Sequence, residues 1–407
     1  MQTKIAANAQ AMKRWLVKAE TTLGNHSDRL NAINIFPVAD GDTGTNLYLT
    51  ARAAAHAAHG TDAVGGRAGT DTSLRRSPHS AGHSSADTAQ HATQHTTQHT
   101  TQHAVAAPDP AQHDVGAVLA LAGQAAMEQA RGNSGTLFAV FLCAAAEPLA
   151  GHTRISSPLL AAALNRAQIR AWSALSDPVP GTMLSVMEAA ARAAAAVDSA
   201  HDGDDSNQTL GLALDAAVEA ALAAVVRTED QLEALHAAHV VDAGGVGMLL
   251  ILDCLRSAVL GEELQSELLD GLHGYDVQDP HIHVGMPRDE GVEVMCTISL
   301  SPLDAAMMRQ RLDEMGDSVI MSQVGGTADA AGQYRWRVHV HVLDAAPAVA
   351  LIRSLGEPTD ISVSELALPR DPDTEAATAA AAVAATVAAT VAPAPAAEPR
   401  NPDGYAR

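Results

Sequence analysis

Apolar residues recur every three or four positions over long stretches of this chain, the period of helices that bury one face. Met12, Trp15, Leu16 and Leu23 mark the first stretch, within 5–35, which closes on a second short helical piece near Ile33. The pattern resumes over Asn46–His59, Val115–Gln129, Thr136–Ala146, Pro158–Leu175, Thr182–Val197, Leu210–Val226, Glu229–His236 and Val246–Leu260, with short glycine- or proline-rich loops between. After about residue 275 the rhythm changes. Alternation predicts strands at Val292–Leu300, Ser318–Val324, Tyr334–Val342 and Asp360–Leu366, with helices at Leu303–Met315 and Ala346–Leu355 between them. That order, β-α-β-β-α-β, is the order of a ferredoxin-like domain. The expected organisation is an all-α region over 1–265 followed by an α+β domain over 275–368.

Two segments carry no such pattern. Gly60–His113 is crowded with Gly, Ser, Thr, Gln and His, and the tail from 369 to 407 with Ala, Thr, Pro and Glu. Neither can bury enough apolar surface to fold alone, so both are expected to be disordered. Within the first, His91, His95, His99 and His103 recur every fourth residue. On a helix they would share a face able to bind Zn, Ni or Cu; in a polar repeat loop they would do nothing.

Composition narrows the class. Aromatics are only 2 % of the 407 residues, which favours alanine-rich close-packed helices. The formal net charge is -22, from 47 acidic against 25 basic residues, with no basic cluster to follow a phosphate backbone, so nucleic acid is not an expected partner. The three cysteines, Cys143, Cys254 and Cys296, are odd in number and far apart, as in a reducing compartment. The N-terminus lacks the apolar core of a signal peptide, and the apolar runs are too alanine-rich to be expected to span a membrane. A cytoplasmic protein is expected.

Asp40 and Asp42 flank a single glycine, and Gly44 follows Thr43. Carboxylates that close repel unless a cation lies between them, and their hard oxygens suit Mg²⁺ holding nucleotide phosphates. A plain Asp-Gly surface turn is the alternative. Two more glycine-rich loops, Arg131-Gly132-Asn133-Ser134-Gly135 and Val241-Asp242-Ala243-Gly244-Gly245, each lead into a helix, where free N–H groups attract anions. N-capping by Ser134 and Asp242 would explain those two residues equally.

Asn34 to Asn46, which contains Asp40-Gly41-Asp42-Thr43-Gly44-Thr45-Asn46, resembles the signature of the nucleotide-binding domain shared by dihydroxyacetone kinases and bacterial fatty acid kinases. Gln129–Gly135, Pro180–Leu184 and Val241–Gly247 resemble that domain's further loops, in the same order. The resemblance implies an antiparallel barrel of about eight helices with Mg-ATP at one end. It makes Asp40 and Asp42 the catalytic magnesium ligands, with Asn34 a further metal contact. It assigns Thr43, Gly44, Thr45, Asn46, Gly132, Asn133, Ser134 and Gly135 to phosphates, Thr182 and Met183 to the nucleotide, and Asp242, Ala243 and Gly244 to the phosphate or ribose side.

The second domain resembles the middle domain of fatty acid kinases, in which Cys296, His339 and His341 would hold Zn²⁺; two surface histidines and a buried thiol are the alternative. The implied activity is phosphoryl transfer from ATP to an acyl carboxylate presented by a binding protein, in phospholipid metabolism. The alternatives are a glycerone-kinase-type reaction on a small carbonyl compound and a non-catalytic nucleotide sensor. Self-association is common in the family and is neither supported nor excluded by these residues. Fatty acid kinases usually continue into a further domain that docks the acyl-binding protein, where this chain is expected to have only its low-complexity tail.

Overall fold

The computed structural model describes residues 5–65, 113–275 and 291–366, without the side chains of 61–65. Helices occupy the N-terminal part: α1 (Ala9–Ala32), α2 (Thr43–Gly65), α3 (Val115–Gln129), α4 (Gly132–Leu149), α5 (Ser157–Ala174), α6 (Met183–Ala200), α7 (Asn207–Gln231), the short α8 (Glu233–Ala238) and α9 (Ala243–Leu260). Each long helix packs on the next, with α7 on α9 and α9 back on α1, closing a ring of eight. This is the expected barrel. Alanines at the contacts, among them Ala122, Ala126, Ala190, Ala194, Ala213 and Ala221, are almost fully buried and let the helices approach closely. Trp15 fills the ring beneath them and donates from Nε1 to Ile251 O at 2.9 Å.

Some boundaries differ from the periodic reading. The two pieces expected within 5–35 form one continuous helix, α1, and α2 runs on past His59 to Gly65. α4 begins at Gly132, not Thr136, because a helix's first turn needs no intrahelical partner for its N–H groups and tolerates glycines that read as loop. α7 and α9 are long and apolar enough to cross a membrane by length and composition, yet every residue of α9 is buried among the other helices. The histidine repeat and the tail from 369 lie outside the described residues.

The C-terminal part is β1 (Val292–Leu300), α10 (Pro302–Asp313), β2 (Gly316–Val324), β3 (Tyr334–Val342), α11 (Ala345–Leu355) and β4 (Thr359–Glu365). The strands form an antiparallel sheet in the order β2-β3-β1-β4, the expected ferredoxin-like arrangement. Val294, Ile298, Val338 and Val340 point to one face and pack with Met308, Leu312 and Ile352 of α10 and α11. Residues of the opposite face turn toward the ring, and Ile320 and Val324 join the helical core. The β2 edge is extended by the ring itself: Leu175 bridges Ile320, and Ser176 N donates to Val319 O at 3.1 Å. Arg309 Nε fastens the same corner through Ser176 Oγ at 3.0 Å.

Candidate functional site

Four helix N-termini meet at the end of the ring that carries the sheet, and the spaces at three glycines show how closely. A Cβ on Gly244 would lie 3.3 Å from both Ser134 Oγ and Met183 Cβ, joining the second, third and fourth motif loops. A Cβ on Gly132, whose φ is +59°, would lie 2.3 Å from Asn46 Nδ2, and one on Gly135 would lie 2.7 Å from Thr50 Oγ1, joining the first to the second. Side chains at these positions would push the loops apart. Thr43 Oγ1 and Ser134 Oγ are 3.4 Å apart across the junction.

The loop after α1 brings Asp40 and Asp42 together. Asn34 donates from Nδ2 to Asp40 Oδ1 at 2.6 Å, so this amide supports Asp40 with its donor end. Burial first, then the adjacent Asp42 charge, push the Asp40 carboxyl well above the usual carboxylate range. Burial also raises Asp42, against hydrogen bonds from Asn46 and Asp40, and the Glu293 charge adds to the rise. Two buried carboxyls held this way need a proton or a cation between them. The oxygens of the two carboxylates are hard donors that fit Mg²⁺, while the flanking Asn34 and Asn46 amides turn N–H groups toward them.

The N–H groups of α2 are less free than the motif implied. Asn31 Oδ1 accepts from Gly44 N at 2.8 Å and from Thr45 N at 3.1 Å, a cap the sequence reading did not identify. At α9, Asp242 is buried and its Oδ2 accepts from Gly245 N at 2.6 Å, so the capping role is real; burial lifts its carboxyl to about 7. At α6, Thr182 Oγ1 accepts from Leu184 N at 3.4 Å. A cavity of about 1010 Å³ opens beside these loops, walled by Asn133, Ser134, Thr182, Met183, Asp242 and Gly244 on the ring side and by Asp317, His341 and Leu343 of the small domain. Asp40 and Asp42 are not part of its wall.

The zinc triad expected of the small domain does not assemble. Cys296 lies opposite Val338 on the apolar face, fully buried, with burial pushing its thiol to about 12. His339 and His341 face the ring. Strand parity explains the miss: side chains alternate, and only the β1–β3 register decides which β1 residues share a face with the histidines. Those are Glu293, opposite His341, and Met295, opposite His339. Glu293, His339 and His341 offer ligand atoms within 4.8 Å of one another. His339 Nε2 is 2.9 Å from Glu293 Oε1, and its Nδ1 is 2.9 Å from Ser318 O. Both ring nitrogens thus face acceptors. Burial and the neighbouring His339 push His341 down to about 3, and its Nδ1 has no hydrogen-bond partner among the described residues.

Comparison with known proteins agrees with this architecture. Residues 92–257 match the family model described as the DAK2 domain, and 290–371 match the model of the middle domain of fatty acid kinase-like proteins. Uncharacterized Staphylococcus aureus proteins from strains bovine RF122 / ET3-1 and USA300 are each 23 % identical over 322 residues, 77 % of this chain and 49 % of theirs. The chain therefore spans about half the length of these relatives. The dihydroxyacetone kinase from C. freundii, solved in complex with AMP-PNP and Mg²⁺, is 20 % identical over 62 % of this chain and 34 % of its own, at a TM-score of 0.37, too loose a likeness to argue from. The motif around Asp40 and Asp42 precedes the matched 92–257, but the helices that follow it close the same ring. The eight-helix ring and the ferredoxin-like sheet thus stand in the same chain order as the matches to the DAK2 domain and to the fatty acid kinase-like middle domain, the two family models this chain resembles.

Proposed function

We propose that this chain binds Mg-ATP at the sheet-facing end of the helical ring and transfers the γ-phosphoryl group to an acyl carboxylate presented by a partner protein. The observation that carries the reading is the buried Asp40–Asp42 pair, both raised in pKa by burial and Asp40 also by the Asp42 charge, beside helix N-termini that favour anions. Asp40 and Asp42 would hold the magnesium ion, which when bound supplies neutralisation of the charge on the phosphate oxygens. The first turn of α4 and the Thr43 and Ser134 hydroxyls bind and orient the phosphates, while Thr182, Met183 and the Asp242–Gly244 turn hold the nucleoside side. An acyl carboxylate is already ionised at neutral pH and needs no general base. Its oxygen bonds to the γ-phosphorus as the bond to the bridging oxygen breaks, giving acyl phosphate and ADP. Positioning and charge stabilisation carry such a transfer, and no covalent enzyme intermediate is needed.

Calorimetric titration of Mg-ATP into the parent and an Asp40→Ala/Asp42→Ala variant tests the site. Binding in the parent that is lost in the variant supports it, and equal behaviour of the two sinks it. ADP release is then followed with acyl-loaded binding proteins and with dihydroxyacetone. Turnover with dihydroxyacetone alone would move the reading to a small carbonyl acceptor, and binding without turnover on either would leave a nucleotide sensor.

A further inference from the structure

The phosphate-binding turn of α4 already holds an anion, and it comes from the small domain. Gly132 N donates to Glu293 Oε1 at 2.9 Å, between residues 161 positions apart. The local chain offers no substitute, because Arg131, the N-cap of α4, makes no side-chain capping bond. A carboxylate here satisfies an N–H that a ligand phosphate would otherwise take. We propose that Glu293 is a built-in occupant of this turn, so that a ligand phosphate and the small domain compete for Gly132 N. The idea deepens the reading above and rests on it only for the identity of the ligand as a nucleotide.

Two observations strengthen it. Glu293 can leave without being stranded, because His339 Nε2 lies 2.9 Å from the same Oε1 and Ser364 Oγ donates to Oε2 at 3.1 Å. Release therefore costs the one bond to Gly132. Second, β3 sets a cation beside the same turn. Arg337 is 5 % exposed, its Nη2 donates to Ala130 O at 3.3 Å, and its Nε has no hydrogen-bond partner among the described residues. A guanidinium hydrogen-bonded, among the described residues, only to neutral groups is poised to meet an anion that enters as Glu293 withdraws. Phosphate binding would then loosen β1 from the ring and report occupancy of the turn to the small domain.

The test uses the full chain with inorganic tripolyphosphate, which probes the anion seat without a nucleoside, and with Mg-ATP in parallel. Glu293→Gln keeps the shape and removes the charge, so tripolyphosphate is expected to bind about tenfold tighter, the size of one charge-assisted hydrogen bond. Glu293→Ala should bind at least as tightly as Glu293→Gln, with melting curves confirming that both variants fold. In the parent, tripolyphosphate should raise amide exchange across 292–300, which mere relief of repulsion in a variant does not predict. Equal or weaker tripolyphosphate binding by Glu293→Gln, or unchanged exchange in the parent, overturns the competition. Tighter tripolyphosphate binding with no Mg-ATP binding in any protein keeps the competition and sinks the nucleotide reading. Mg-ATP binding with unchanged tripolyphosphate affinity does the reverse, and no binding of either ligand overturns both.

Discussion

The two faces of the small domain's sheet are buried to the same degree but built from opposite chemistry. Toward α10 and α11 stand Val294, Cys296, Ile298, Val338 and Val340, each at most 1 % exposed. Toward the ring stand Glu293, Thr297, Arg337, His339 and His341, none more than 8 % exposed. The first face is an ordinary core, stabilised by removing apolar surface from water. The second gives up hydration of at least four ionisable or strongly polar groups and recovers it only in part, since Arg337 Nε and His341 Nδ1 have no hydrogen-bond partner among the described residues, Asp317 Oδ1 standing 3.6 Å from the latter. A buried face that is costly in stability is expected where binding needs it. It lies against the α4 turn, which is where the proposed phosphates go.

Substitutions can break that contrast, and the largest effect is expected on the apolar face. Ile298→Ala should cost about 3 kcal/mol and lower Tm clearly, while leaving Mg-ATP affinity unchanged at temperatures where the variant is folded. A matching loss of affinity would mean that the faces are not separable. Next comes pH. His341 is held down to about 3, below its unfolded value, and stays neutral in the fold. Glu293 is held down to about 2; burial alone would raise it, but the His339 and Ser364 hydrogen bonds outweigh burial. In both cases the unfolded chain takes up protons that the fold refuses, so stability is lost as pH falls. The window runs below about 6.5 for His341 and below about 4.5 for Glu293. Melting curves from pH 8 to 4 should show Tm falling, and His341→Phe should flatten the drop between pH 7 and 5. An equally steep drop in the variant would assign the loss to other groups. The smallest effect is at Arg337. Arg337→Met removes a buried cation whose hydrogen bonds among the described residues all go to neutral groups, so stability should stay within about 1 kcal/mol of the parent while tripolyphosphate affinity falls. A large drop in Tm would show that the bond to Ala130 O carries more than positioning.

Much of the architecture was legible along the chain. Helical period in the first part and period two in the second correspond to the ring and the sheet, and the misplaced ends at Gly132 and Gly65 fall where first turns and alanine-rich runs carry weak local signals. The site was legible where glycine marks it, since Gly132, Gly135 and Gly244 lack side chains at points where a Cβ would press on a neighbouring loop or helix. It was illegible where residues from distant segments cooperate. Asn31 sits mid-pattern on α1 and looks like any polar helix position, yet it caps α2. Glu293, Arg337, His339 and His341 follow the polar half of a strand alternation, which reads the same whether that half faces water or a second domain.

By itself the sequence determined the order and type of the elements and the four glycine-marked loops, because period and backbone freedom are local properties of consecutive residues. Tertiary structure alone decided that Cys296 faces away from the histidines, that Glu293 takes its place beside them, and that this carboxylate reaches Gly132. Strand register and the packing of one domain on another set those pairings, and they depend on residues far apart in the chain.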